Sequence, residues 1–132
     1  MKIVLDTNVL VSGIFWRGVP HRILQGWHSK RFDLLISPDI LNEYYRVAEE
    51  LNSRHGLPEV KSLLDLITLN AYLVQPRKGP LPACSDPDDR KFLAAAITGK
   101  AAHIVTGDKA LLRVGAYPGG TILAPRQFAE GL

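Results

Sequence analysis

Three aspartates open one helix-forming stretch of the chain: Ser85-Asp86-Pro87-Asp88-Asp89 runs into Arg90-Lys91-Phe92-Leu93-Ala94-Ala95-Ala96-Ile97-Thr98-Gly99. A further carboxylate, Asp108, closes the apolar run His103-Ile104-Val105-Thr106-Gly107, Asp6 ends another at the N-terminus, and Glu43 interrupts the apolar face of a helix. Carboxylates gathered at one place repel one another unless a cation compensates them. An all-oxygen set of this kind suits a hard divalent ion, Mg²⁺ or Mn²⁺. Such an ion can polarise a phosphoryl oxygen and neutralise charge developing in an in-line displacement, which is the chemistry of phosphodiester hydrolysis.

Each acid also has a plain structural reading. Asp86 can cap a helix, Pro87 suits its first position and Gly99 supplies a stop, and the spacing of Asp86 and Asp89 resembles a capping box. First-turn carboxylates also favour the positive end of the helix dipole, so Asp86 and Asp88 are explained equally well as caps. Asp89 is not, because Leu93 and Ala96 lie four and seven residues on, placing its side chain on the stripe that faces the core, where a carboxylate needs a partner. Glu43 sits inside the stripe Ile40, Tyr44, Val47, Leu51, as a ligand or as a rim carboxylate paired with Arg46 or Lys61. Asp6-Thr7-Asn8 stand either at the ligand-binding tip of a strand or at a strand-to-helix turn in which Asp6 or Thr7 caps.

The elements that must position these acids follow from apolar patterning. Short, nearly continuous apolar runs at 2–5, 32–36, 72–74, 103–106 and 121–123 read as five buried strands. Between them, helical spacing and caps mark helices at about 18–29, 37–54, 59–70, 86–99, 109–113 and 125–131, the helix at 59–70 turning Val60, Leu63, Leu64 and Ile67 inward. Strands alternating with helices require right-handed crossovers, hence an α/β fold with a parallel sheet between helical layers. Asp6 and Asp108 then lie at the same end of that sheet. Arg77-Lys78-Gly79-Pro80-Leu81-Pro82-Ala83 is a connector that ends beside the acidic helix and is expected to border the site.

The length, 132 residues with 46% hydrophobic and 22% charged, suits one soluble domain spanning 1–132. A lone Cys84, no cleavage pattern after the N-terminal run and no membrane-length apolar window point to a cytoplasmic protein. There is no zinc spacing, serine triad or phosphate loop. Net charge is +3, but setting aside Asp6, Glu43, Asp86, Asp89 and Asp108 leaves 16 basic residues against 8 acidic, or +8. A basic surface around an acidic centre fits a polyanion gripped by its phosphates. Arg17 and Arg22, amid Trp16, His21, Lys30 and Arg31, together with Lys91 and Lys109 beside the acids, are the candidate substrate contacts; Trp27 reads better as core.

Asp6-Thr7-Asn8-Val9-Leu10, Glu43 in the second long helix, Asp86 to Leu93 and Ile104-Val105-Thr106-Gly107-Asp108 together resemble the PIN domain, in order and over essentially the whole chain. The chain is most similar to the small stand-alone prokaryotic PIN proteins of toxin–antitoxin pairs, the VapC-like ribonucleases. The resemblance implies a three-layer α/β/α sandwich and a Mg²⁺- or Mn²⁺-dependent endoribonuclease leaving a 5′-phosphate. By position, Asp6, Glu43, Asp89 and Asp108 match the catalytic acidic quartet, Asp86 a further acid that would join it on the metal, and Thr7, Asn8, Ser12 and Thr106 the polar accessory positions. The implied partners are RNA, a cognate antitoxin and a second copy of the chain, for which Trp16 and Trp27 offer surface. The alternatives are a PIN-fold protein that binds RNA or docks a partner without cutting, a structure-specific DNA nuclease, for whose extra helices this chain lacks room, and a haloacid-dehalogenase-like phosphatase. The last resembles an Asp-x-Asp pair, and here the second position is Asn8.

Overall fold

Ile3, Val4 and Leu5 are fully buried in β1 (Lys2–Leu5), as a strand covered on both faces must be. The computed structural model describes residues 1–132, and in it β1 lies inside a sheet flanked by helices, the three-layer α/β arrangement expected. Its parallel neighbours are β2 (Asp33–Ile36) and β4 (His103–Val105), with Ile3 opposite Leu34 and Val4 opposite Ile104. β3 (Tyr72–Leu73) extends the sheet beyond β2, and β6 (Gly120–Leu123) pairs with β4 in parallel. A sixth strand, β5 (Ala116–Tyr117), adds antiparallel to β6, so the order is β3-β2-β1-β4-β6-β5 rather than five parallel strands. Two residues are too short to show a period. They are held because the Tyr117 hydroxyl donates to the Ala101 carbonyl at 2.9 Å, an approach that needs glycine at 120, where a Cβ would stand 2.5 Å from that hydroxyl.

The helices are α1 (Thr7–Phe15), α2 (Val19–His28), α3 (Pro38–His55), α4 (Val60–Asn70), α5 (Arg90–Gly99), α6 (Lys109–Val114) and α7 (Pro125–Glu130). Ser37 caps α3 by accepting from the Ile40 amide at 3.3 Å, as its sequence implies. The acidic stretch is less regular than a continuous helix. Pro87–Asp89 form a turn of 3₁₀-helix, and the α-helix proper begins at Arg90. Gly99 is not the stop. Lys100 takes the left-handed conformation at φ 58°, while a Cβ on Gly99 would lie 2.4 Å from Leu35 Cδ2, so the glycine serves the close approach of α5 to the sheet.

One apolar cluster of 29 buried residues joins both faces of the sheet to α1, α3, α4 and α5. Trp27 packs against it as expected. Leu63 does not: it is 40% exposed and belongs with Leu66 and Leu69 to an outward strip of α4, because Val60, Leu64 and Ile67 already fill the inward face. No helix is long and apolar enough to cross a membrane.

Candidate metal centre

Parallel pairing of β1 with β4 places their C-terminal ends side by side, and the ladder continues past them: the Asp6 amide donates to Val105 O at 2.9 Å. Asp6 precedes α1, yet its side chain makes no capping bond. Instead its carboxylate accepts from the buried Thr106 hydroxyl at 2.6 Å, and that hydroxyl accepts in turn from the Asp108 amide at 2.9 Å. Thr106 therefore ties the two strand-end acids together. Burial raises the Asp6 pKa; hydrogen bonds from Thr106 and from the Thr7 backbone oppose this, while Asp108 and Glu43 reinforce it.

Asp6, Thr7, Asn8, Glu43, Asp86, Asp88, Asp89 and Asp108 all line one cleft of about 580 Å³, with Arg46 and Gly107 at its edge. Within it, Asp86, Asp89 and Asp108 each bring a carboxylate oxygen within 4.8 Å of the others. Asp86 also caps the 3₁₀ turn by accepting from the Asp88 amide at 3.0 Å, and Asp108 caps α6 by accepting from the Ala110 amide at 3.2 Å. Capping and clustering thus coexist, since each carboxylate has a second oxygen.

Asp89 is the exceptional member. It is 5% exposed, and its Oδ2 is buried without any hydrogen-bond partner. Burial chiefly, then the hydrogen bond to Asp108 and the charges of Asp108, Asp86 and Asp6, push its pKa up to about 8. Two unit negative charges at this separation repel by about 3 kcal/mol at an effective dielectric constant near 20, so three ionised carboxylates here need a compensating cation. An orphaned buried oxygen in an all-carboxylate set, with a proton retained near neutrality, fits a hard divalent cation such as Mg²⁺ or Mn²⁺. Asp86, Asp89 and Asp108 would hold it, with Asp6 adjoining.

Glu43 reaches the same cleft from α3 but stands in different company. Lys91 Nζ lies 2.7 Å from its Oε1 and Arg46 Nη2 3.7 Å away, while the Thr7 hydroxyl donates to Oε2. Of the two rim partners considered, Arg46 is present and Lys61 is not; the principal partner is Lys91, hidden in sequence because it comes from α5. Lys91 also bonds Asp88 at 2.8 Å. Burial alone would lower the Lys91 pKa, but these two carboxylates outweigh it and raise it. Hydrogen bonding to Lys91 is also the main reason the exposed Asp88 stays below the ordinary carboxylate range.

The remaining candidates are dispersed. Ser12 does not line the cleft; its carbonyl accepts from the Trp16 amide. Arg17 and Lys109 are exposed, Lys109 one residue after Asp108. Arg22 lines a separate hollow with Arg31 and the C-terminal Leu132. No residue of the 77–83 connector lines the acidic cleft; Leu81 lines a neighbouring one of about 590 Å³ beyond Glu43, shared with Asn42, Arg46, Arg90 and Lys91. Arg46, three residues after Glu43 and 61% exposed, borders both clefts, a place that the sequence signals only through its spacing from Glu43.

A family model described as PIN domain matches residues 2–110, which takes in every acid of the cleft. No curated protein and no solved structure matches the chain.

Proposed function

The chain belongs to the PIN domain family, and from that premise we propose that it is a Mg²⁺- or Mn²⁺-dependent endoribonuclease, the toxin of a toxin–antitoxin pair. The observation that carries the hydrolytic reading is Asp89: a buried carboxylate with one oxygen unpartnered, clustered with the carboxylates of Asp86 and Asp108. A plain helix cap has no need of such a place.

A divalent ion bound there supplies Lewis-acid stabilisation of charge developing on a phosphoryl oxygen. The protein's own groups do the rest. Thr106 keeps Asp6 and Asp108 at fixed separation by bonding both, which preorganises the strand-end acids at no cost during reaction. Asp6 lines the cleft beside the three clustered acids and is the group placed to orient an attacking water or accept its proton. Lys91 and Thr7 hold Glu43 in one orientation against the cleft wall. Exposed Arg46, Arg17 and Lys109 supply positive charge for the flanking phosphates.

A protein partner is supported by the exposed strip Leu63, Leu66 and Leu69 of α4, continued by Tyr72 and Leu73 of the edge strand β3. We assign pairing to a second copy of the chain: light scattering is expected to give twice 14.6 kDa, and a monomer at high concentration would reject it. The hydrolytic reading is tested by incubating purified protein with end-labelled single-stranded RNA and Mn²⁺. Internal cleavage with 5′-phosphate products, abolished by EDTA and by Asp89→Asn, supports it; metal-independent cleavage, or none under any divalent ion, removes it.

A further inference from the structure

The carboxylates of the cleft divide into two sets by their partners. All four ion pairs of the molecule form one chain, Glu50–Arg46–Glu43–Lys91–Asp88, whereas Asp6, Asp86, Asp89 and Asp108 have no basic partner at all. Lys91 is the pivot of that chain. Its side chain is only 16% exposed, its ammonium bonds Glu43 at 2.7 Å and Asp88 at 2.8 Å, and it lies 5.5 Å from the Phe92 ring centroid. Glu43 is 10% exposed and has both oxygens engaged, Oε1 by Lys91 and Oε2 by the Thr7 hydroxyl.

We propose that the Lys91 ammonium serves as the fixed second cation of this centre: it neutralises Glu43 and Asp88, so that the chain takes up one divalent ion, on Asp86, Asp89 and Asp108. This rests on the metal-dependent reading above and adds its stoichiometry. A second divalent ion would need an oxygen of Glu43. To provide one, Glu43 must release Lys91 from Oε1 or the Thr7 hydroxyl from Oε2, and either way the incoming double positive charge would share one carboxylate with a largely buried ammonium. The two sets of acids are therefore served by two kinds of cation, one carried by the chain and one bound from solution. Lys91 is thus a positioning residue and not an RNA contact. Its opposite sign from the cluster also explains how a lysine is tolerated directly before Phe92 and Leu93 of the core: it is fully paired where it stands.

The test is Mn²⁺ uptake by the full chain, counted by equilibrium dialysis and read by electron paramagnetic resonance. Wild type is expected to bind one Mn²⁺ per chain with the spectrum of an isolated ion. Lys91→Gln, which frees Glu43 and Asp88, is expected to bind two, with dipolar broadening; Lys91→Arg keeps the charge and should remain at one. Two ions in wild type overturn the proposal, as does a folded Lys91→Gln that still binds one. Should Lys91→Gln fail to fold, the wild-type count and Lys91→Arg still decide, since a second ion in either contradicts it. No uptake by wild type is a different failure, that of the metal-dependent reading itself.

Discussion

Replacing Asp89 by asparagine separates a metal ligand from a helix-end charge, because the two roles predict opposite pH behaviour in the absence of metal. The Asp89 carboxyl titrates at about 8 in the folded chain, against an ordinary value of 3.8. Between those values the folded protein keeps a proton that the unfolded chain has released, so its stability falls as pH rises. The contribution is complete below about pH 4 and gone by about pH 8, at a slope of up to about 1.4 kcal/mol per pH unit. Asparagine cannot titrate and lacks that slope. In EDTA, Asp89→Asn should therefore gain on wild type by up to about 3 kcal/mol between roughly pH 5.5 and 7.5. Urea unfolding at the two pH values measures it. Mn²⁺ at about 100 times its Kd should then stabilise wild type by about 2.7 kcal/mol and the variant not at all. Asp88→Asn is the control: it loses an exposed pair worth about 0–1 kcal/mol and keeps the Mn²⁺ response. Parallel pH profiles and equal Mn²⁺ gains in Asp88→Asn and Asp89→Asn would refute the reasoning.

Thr106→Val removes the donor to Asp6 and the acceptor of the Asp108 amide in a fully buried place; it should cost about 1–3 kcal/mol in denaturant unfolding and lower cleavage, and unchanged cleavage would show that the tie is not needed. Gly99→Ala drives a methyl into Leu35, itself buried with nowhere to move, and should lower stability by about 1–3 kcal/mol without altering Mn²⁺ uptake. Calorimetric titration with Mn²⁺ near pH 7 should release protons, about one per ion and fewer as pH rises past about 8, since Asp89 must ionise to ligate; heats independent of buffer would argue against it.

Much of this centre was legible from single residues read against their periodicity. Asp89 stood on an apolar stripe, and the structure buries it with an oxygen unpartnered. Strand ends carried Asp6 and Asp108 to one place because parallel pairing fixes direction, a property of topology that alternating strands and helices reveal. The partner of Glu43 was not legible: Lys91 lies 48 positions away on another helix, and no local pattern states which two helices meet. Similarly, Leu63 looked inward by spacing, yet the angular width of the buried face depends on what packs against α4. Gly99 has the residue type of a helix stop because glycine favours that role, whereas a contact with Leu35, distant in sequence, sets its identity.

The most direct measurement is single-turnover cleavage of a 5′-labelled RNA by wild type, Asp89→Asn and Asp108→Asn, each with Mn²⁺ and with EDTA, after circular dichroism has shown all three folded. Wild type is expected to cleave internally with Mn²⁺ alone, and neither variant to cleave under any condition. Cleavage by wild type in EDTA, or Mn²⁺-dependent cleavage at the wild-type rate by a folded Asp89→Asn, would contradict metal-dependent hydrolysis at these acids.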